Sequence, residues 1–155
     1  MQTAYRSYFT VIAALVLSLA SNVSAQDQEE VATLDGLQYW NEIDREAITT
    51  ESGLQYKVLI TGKGRKPRPK DYVKVHYRGL LLNGWEFDSS YTNDEPVILK
   101  MKRVIKGWYE GLQLMPTGSV YVFLIPPELA YGEKGSSLIP PDSTLIFQIE
   151  LFGFK

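Results

Sequence analysis

Residues 104–132 decide the fold: they read VIKGWYEGL at 104–112, YVFLI at 121–125 and PPELAYG at 126–132. Apolar residues at positions 104, 105, 108 and 112 recur at helical spacing, which predicts one short helix over 104–114 with a single apolar face. Apolar stretches typical of strands lie on both sides of this helix. A tryptophan on that face, Trp108, therefore indicates the floor of an aromatic pocket rather than a residue of an ordinary surface helix.

Outside this stretch the apolar period changes from 3.6 to 2 at Gly53, where we expect the sheet to begin. Residues 73–78 alternate between apolar and polar, which predicts a half-buried strand with His76 facing water. Segments 120–125 and 145–152 are apolar on both faces and are expected to be central strands. Further strands are predicted at 54–60, 85–87 and 97–101. The pattern predicts an α+β fold: an antiparallel sheet of about five to six strands wrapped over one short α-helix, preceded by a short N-terminal helix.

The first 25 residues have the organisation of a cleaved signal peptide. Arg6 supplies a sparse positive charge, residues 11–20 are apolar, and small residues at 23–25 suit a signal peptidase. The apolar run is short for a transmembrane helix. Cleavage would leave Gln26 as the first residue, with no stable membrane insertion afterwards. We therefore expect export to the periplasm, with secretion, the ER lumen and an uncleaved membrane anchor as alternatives.

Residues 26–52 form an acidic segment with eight acidic residues and one basic residue. A helix of about three turns is predicted in it, because apolar residues recur at three- to four-residue spacing: Leu34, Leu37, Trp40, Ile43 and Ala47. This helix either docks on its own domain or serves as a small dimerisation helix. The segment supplies no predicted pocket residue, so deleting residues 26–50 is expected to leave the domain at 53–155 folded and active.

Composition argues against several classes of chemistry. The chain has no Cys and one His, so metal catalysis and Ser-His or Cys-His nucleophilic catalysis are poorly supported. Residues 53–155 carry fourteen basic and ten acidic residues, a modest excess that looks scattered along the sequence. No basic stripe suggests nucleic acid as a partner.

Three further motifs accompany the central stretch: VHYRG at 75–79, FDSS at 87–90 and IPP at 139–141. Together, in this order and spacing, the motifs resemble the FKBP-type peptidyl-prolyl isomerases. The resemblance covers roughly residues 53–155, about two thirds of the chain. Taken singly, residues such as Trp108 and Phe147 are explained equally well as core, and Asp88 as a turn residue. Their occurrence together favours a site.

The resemblance implies an active-site cavity with Trp108 as its floor. The catalytic residues it implies are Tyr77, Asp88 and Tyr131. The substrate-binding residues it implies are Phe87, Leu99, Val104, Ile105, Trp108, Ile139 and Phe147. The backbone N–H of Ile105 would hold a substrate carbonyl. Two positions depart from the family pattern, since Leu99 lies where many relatives have Phe and Asn93 where many have Arg.

The activity implied by the resemblance is isomerisation of X–Pro bonds during the folding of exported proteins, with no metal and no cofactor. Its partners would be proline-containing unfolded or partly folded polypeptides, and macrolide inhibitors of the tacrolimus or rapamycin type would compete for the pocket. An alternative from another class is a chaperone or scaffold module that binds proline-containing segments with little turnover.

Overall fold

The structure is a computed structural model that describes residues 40–41 and 47–155, all within the compact unit Asp35–Lys155. It has the α+β architecture that the sequence predicts, with one sheet and one short α-helix, of three turns or fewer, that the structure describes from end to end. The elements, in chain order, are β1 Ile48–Thr49, β2 Gln55–Ile60, β3 Tyr72–Leu81, β4 Glu86–Ser89, β5 Val97–Lys100, α1 Lys106–Leu114, β6 Val120–Ile125 and β7 Leu145–Phe154.

The sheet has the order β1-β2-β6-β7-β3-β4, and every pairing is antiparallel. The long strand β3 has β4 along its second half and β5 along its first half. The central places predicted for β6 and β7 are confirmed. The described residues contain seven strands rather than five or six, because β1 is a further two-residue strand that pairs with β2.

The sheet begins before Gly53, and the sequence-based starting point is wrong. Ile48 pairs with Tyr56 and Thr49 with Gln55, so residues before Gly53 already belong to the sheet. The signal was missed because a two-residue strand is too short to show a period. The glycine itself forms the turn between the two strands with a φ of 89°, a conformation that favours glycine.

Helix α1 begins at Lys106, two residues later than predicted. Val104 and Ile105 have extended backbone conformations, with ψ of 165° and 157°. The carbonyl of Ile105 accepts a hydrogen bond from the Tyr109 N–H at 2.9 Å and starts the helix. The side chains of both residues pack against the same core as the helix. Their apolar positions therefore match the helical period although their backbone is extended.

Two glycines let α1 lie directly against β6. A Cβ atom on Gly107 would lie 2.5 Å from Ile125 Cγ2, and one on Gly111 would lie 2.6 Å from Phe123 Cε1. Because neither glycine has a side chain, the helix backbone approaches the sheet closely at these two positions. This close approach fixes the height of Trp108 above the sheet.

The face of the sheet opposite α1 carries a second, smaller core. Trp40 is only 3% exposed and packs with Leu80, Val122 and Ile146. Trp40 and Asn41 have helical backbone, whereas Ala47 does not. The rest of the predicted N-terminal helix and the predicted signal peptide lie outside the described residues. No helix within the described ranges is long and apolar enough to cross a membrane.

Candidate active site

Four aromatic rings from four different elements meet at one end of α1. Trp108 of α1 lies edge-to-face with Tyr77 of β3 and with Phe147 of β7, with ring centroids 5.1 Å apart in both pairs. Phe87 of β4 meets Phe147 in the same manner at 5.5 Å. Edge-to-face contacts place the positive ring edge on the negative ring face, so the rings fix each other's orientation. We call these four residues the pocket cluster.

Gly79 makes room for two of these rings. It lies on β3 opposite Phe147 of β7 and opposite Asp88 of β4. A Cβ atom there would lie 2.7 Å from the Phe147 ring and 2.8 Å from the Phe87 ring. Any larger residue would therefore push the two rings apart. This role is not predictable from the sequence, because only the cross-strand register shows which side chains face a given glycine.

A hydroxyl and a carboxylate meet at the rim of the pocket cluster. The Tyr77 hydroxyl donates a hydrogen bond to Asp88 Oδ2 at 2.7 Å. Burial, reinforced by the hydrogen bond and the negative charge of Asp88, raises the pKa of Tyr77 well above its usual value of 10. Burial and the same carboxylate also raise the pKa of Tyr131. Both hydroxyls therefore keep their protons at physiological pH and remain hydrogen-bond donors.

The backbone of Tyr77 is held from behind by Ser90, which the sequence analysis did not single out. Ser90 is 4% exposed, and its Oγ accepts a hydrogen bond from the Tyr77 N–H at 2.8 Å. The same Oγ lies 3.2 Å from the Tyr77 carbonyl oxygen and 2.7 Å from Nδ1 of His76. These bonds connect the turn after β4 to the middle of β3, close to the point where Tyr77 and Asp88 meet.

His76 belongs to this supporting layer, and its predicted exposure to water is wrong. It lies on the outward face of β3 but is only 1% exposed. Its ring stacks on Tyr91 at 4.5 Å and meets the edge of Phe152 at 5.7 Å. Burial lowers the pKa of His76 below 6.5, with Asp94 opposing this shift and Lys74 adding to it.

Two polar groups near the floor lack partners in the part of the chain that the structure describes. Nε1 of Trp108 is buried and makes no hydrogen bond. The backbone N–H of Ile105, at the residue before α1, likewise donates to no described acceptor. A buried donor without an acceptor costs free energy unless something else satisfies it. Of these two donors, the Ile105 N–H is the one that a bound amide carbonyl would use, because Nε1 of Trp108 is buried within the protein.

The loop after β6 supplies the remaining wall. Ile139 is 4% exposed and belongs to the same buried cluster as Trp108 and Phe147, whereas the neighbouring Leu138 is 55% exposed. The Ser136 N–H donates to the Ile139 carbonyl at 2.8 Å, which closes a tight turn at the loop tip. Tyr131, at the start of this loop, remains 40% exposed. The wall is therefore apolar within and open at the rim.

The structure thus brings the predicted site residues to one region. Three further predicted residues are partly buried and pack against the cluster that contains Trp108: Leu99, Val104 and Ile105. Asn93 is exposed at the end of the turn after β4. It makes no hydrogen bond to Tyr77 or Asp88 among the described residues, and an asparagine supplies no positive charge where many relatives have Arg.

Comparison with known proteins agrees with this geometry. Residues 63–152 match the family model described as FKBP-type peptidyl-prolyl cis-trans isomerase. The chain belongs to this family. FkpA of Aeromonas hydrophila, an FKBP-type isomerase, is 50% identical over 107 residues, which are 69% of this chain and 40% of FkpA. A probable FKBP-type isomerase of Haemophilus influenzae is 45% identical over 138 residues, 87% of this chain and 57% of the relative.

The fold comparison gives the same result. The crystal structure of FkpA from Escherichia coli has a TM-score of 0.71 to this chain at 38% sequence identity. The match covers 100% of this chain and 73% of that structure. The chain spans 40% and 57% of the two relatives above, less than two thirds of either. The FKBP fold predicted from the sequence is therefore confirmed.

Proposed function

We propose that this FKBP-family chain catalyses cis–trans isomerisation of X–Pro peptide bonds in unfolded or partly folded exported polypeptides. The observation that carries the proposal is the open pocket cluster. Its floor has the backbone N–H of Ile105, which donates to no described acceptor, and its rim has the Tyr77–Asp88 hydrogen bond at 2.7 Å. These are the features that an X–Pro bond needs, since the prolyl ring is apolar and the carbonyl before it is a strong acceptor.

The chemistry requires no nucleophile and no proton transfer. An uncatalysed X–Pro bond isomerises over a barrier of about 20 kcal/mol and takes tens of seconds or longer. The planar ground state is more dipolar than the twisted transition state, because twisting removes amide resonance. Water therefore favours the ground state. An apolar pocket removes that preference, and fixed donors then stabilise the carbonyl in the twisted geometry.

Each residue has a role in this proposal. Trp108 forms the floor under the prolyl ring, and the Ile105 N–H holds the substrate carbonyl. Tyr131, half-exposed at the rim, donates from its hydroxyl to the same imide. Asp88 orients the Tyr77 hydroxyl through their hydrogen bond. Since the pKa values of both tyrosines are raised, the donors are present across the physiological pH range.

The proposed organisation of the chain follows the sequence. Residues 1–25 act as a signal peptide, residues 26–52 form an acidic N-terminal segment whose strand Ile48–Thr49 joins the sheet, and residues 53–155 form the rest of the isomerase domain. The family match at 63–152 lies within that last range. Export to the periplasm would place the enzyme among folding exported proteins. Mass spectrometry of the native protein should find Gln26 at its N-terminus, and finding Met1 on membrane-bound protein would contradict export by cleavage.

Macrolides of the tacrolimus or rapamycin type should bind the same pocket, because they would place a pipecolyl ring where the prolyl ring lies over Trp108. Leu99 offers a smaller wall than an aromatic residue. We expect the macrolide to bind more weakly than in relatives with Phe there, by about 1–2 kcal/mol of apolar contact. Calorimetry on this chain and on its Leu99→Phe variant tests this expectation, and equal affinity would contradict it.

A protease-coupled assay on an Ala-Leu-Pro-Phe peptide tests the proposed function. The wild-type chain should accelerate cis-to-trans conversion, and a Trp108→Ala variant that remains folded should lose most of that acceleration. Binding of the peptide without acceleration would contradict the enzyme proposal. That result would instead favour a chaperone or scaffold module that binds proline-containing segments.

A further inference from the structure

Most basic residues of the domain lie together at one end of the sheet. The prediction that they are scattered is therefore wrong. Ten of the fourteen Lys and Arg residues in 53–155 lie in three segments, 61–74, 98–103 and 155. These segments contain only one of the ten acidic residues, Asp71. The ten cations are Lys63, Arg65, Lys66, Arg68, Lys70, Lys74, Lys100, Lys102, Arg103 and Lys155, which we call the basic end.

Backbone pairing brings the three segments together. Tyr72 at the start of β3 exchanges two hydrogen bonds with Lys155, at 2.8 and 2.9 Å, and lies opposite Lys100 of β5. The Met101 N–H donates to the Asp71 carbonyl at 3.1 Å, so the turn with Lys102 adjoins the loop before β3. One continuous surface results from segments that are distant in sequence.

The charges of the basic end are available to a partner. Nine of the ten cations are exposed, and the tenth, Lys100, lies with its Nζ 5.4 Å from the centre of the Tyr72 ring. Within residues 40–41 and 47–155, none of the ten cations forms an ion pair, whereas Arg78 pairs with Glu86 outside this surface. The Asp71 carboxylate accepts the backbone N–H of Arg68 at 2.8 Å rather than a cationic group. A large positive field therefore faces outward.

Two exposed apolar side chains lie among these cations. Strand register places Tyr72 opposite Lys100 and Lys74 opposite Ile98. Since side chains alternate along a strand, these four residues share one face of the sheet. Tyr72 is 41% exposed and Ile98 is 58% exposed. Cations around an exposed tyrosine and an aliphatic residue form the combination that suits the headgroup region of a bilayer.

We propose that the basic end docks this domain peripherally on an anionic lipid bilayer. The cations would face the phosphate groups, while Ile98 and the Tyr72 ring would enter the headgroup region. A single-stranded nucleic acid fits this surface less well, because it binds through aromatic faces on which its bases stack. Lys100 lies over the Tyr72 ring, and Ile98 has no π-face. The surface is distinct from the pocket cluster, whose function does not depend on it.

The absence of cysteine from the chain allows a probe at one chosen position. An environment-sensitive fluorophore on the Ile98→Cys variant of the mature chain, residues 26–155, would report contact with lipid. Its matched control is the same fluorophore on Leu138→Cys, because Leu138 is equally exposed and apolar but lies at the pocket loop. Vesicles of phosphatidylcholine alone are compared with vesicles containing about 30% phosphatidylglycerol. Every variant begins at Gln26, so the apolar run at 11–20 does not contribute to binding.

We expect the Ile98 probe to brighten with the anionic vesicles, to respond little to neutral ones, and to lose its response at high salt. Adding Lys66→Gln with Lys70→Gln should raise the half-maximal lipid concentration by roughly fivefold per charge. The matched pair Asn83→Asp with Lys134→Gln changes the net charge equally, away from the basic end, and should have little effect. Circular dichroism confirms that each variant is folded.

Three results would overturn the proposal. The first is an equal response of the two probes, or of the two kinds of vesicle. The second is an equal effect of the Lys66→Gln with Lys70→Gln pair and its control pair. The third is a response of the Ile98 probe to a single-stranded oligonucleotide with none to anionic vesicles, which would assign the surface to nucleic acid.

Discussion

Two aromatic clusters lie under the same sheet, one on each side of the middle of α1, and they have opposite characters. The pocket cluster of Tyr77, Phe87, Trp108 and Phe147 is open at a rim. The second cluster, which we call the closed cluster, consists of Tyr56, Tyr121 and Phe123. Its tyrosines stack at 5.6 Å with their planes 7° apart, and Phe123 is 1% exposed.

The clusters differ in what surrounds the rings rather than in the rings themselves. Tyr56 and Phe123 are cross-strand partners, and the neighbouring Leu54 and Leu112 are fully buried. The closed cluster is thus filled with protein and holds the sheet together. The pocket cluster leaves the Trp108 Nε1 and the Ile105 N–H without described acceptors. Aromatic content alone therefore does not identify a site, whereas unpartnered donors beside aromatic rings do.

The largest expected effect separates stability from catalysis. Phe123→Ala should lower the free energy of unfolding by about 3–5 kcal/mol, because it leaves a cavity in the filled cluster. The fraction that remains folded should keep its kcat/KM, since Phe123 does not face the rim. Urea titration with the peptide assay measures both quantities. If Phe123→Ala is too unstable, Phe123→Leu should show a smaller loss of stability and the same unchanged kcat/KM.

Trp108→Ala should act on catalysis as well as on stability. It removes the floor under the prolyl ring, and we expect kcat/KM to fall by an amount equivalent to about 2–3 kcal/mol of transition-state stabilisation, the value of burying one apolar ring. Its free energy of unfolding should also fall, because Trp108 is 5% exposed and belongs to the buried core, so urea titration accompanies the peptide assay. A variant that loses stability but keeps full activity would place the prolyl ring elsewhere.

The rim should give smaller effects, because each group contributes one hydrogen bond. Tyr131→Phe removes a hydroxyl and should lower kcat/KM by an amount equivalent to about 1–2 kcal/mol of transition-state stabilisation. Asp88→Leu should cost a similar amount through lost orientation of Tyr77. The matched control is Tyr121→Phe, which removes a hydroxyl from the closed cluster and should leave kcat/KM unchanged. Equal effects of Tyr131→Phe and Tyr121→Phe would contradict a role for the rim hydroxyl.

The smallest effect concerns His76, which supports the pocket cluster from behind. Its pKa is lowered by burial, so below pH 6.5 the unfolded chain binds a proton that the folded chain does not. This contribution to stability is present above pH 6.5 and is lost as the pH falls through the lowered folded pKa. Relative to His76→Gln, the free energy of unfolding of wild type should fall by up to about 1.4 kcal/mol per pH unit in that window. If the difference in the free energy of unfolding between the two proteins stays constant across the window, this prediction is wrong.

The sequence predicted the element types and the central strands, because long periodic segments report burial directly. It failed where contacts depend on register. His76 has the polar alternation of an exposed strand residue, yet Tyr91 and Phe152 cover it. The roles of Ser90 and Gly79 depend on which atoms lie across the sheet from them. No pattern within one segment carries that information.

The composition of the site was predictable for a different reason. Trp108, Tyr77 and Asp88 are carried by motifs whose order matches a known family, and the structure brings these residues together beside Phe147. The gathering of basic residues at one end was not predictable. Lys155, Lys100 and the loop before β3 become neighbours only through the pairing of β3 with β5 and β7.

The central claim is that the pocket cluster isomerises X–Pro bonds by desolvation and fixed donors, with no proton transfer. The most direct test is kcat/KM for the Ala-Leu-Pro-Phe peptide between about pH 5 and 8. Burial raises the pKa values of Tyr77 and Tyr131 above 10, so both hydroxyls remain protonated throughout this range. The account predicts a clear acceleration with a nearly flat profile, and an Asp88→Asn variant with reduced but measurable activity. A steep bell-shaped profile together with an inactive Asp88→Asn variant would contradict it.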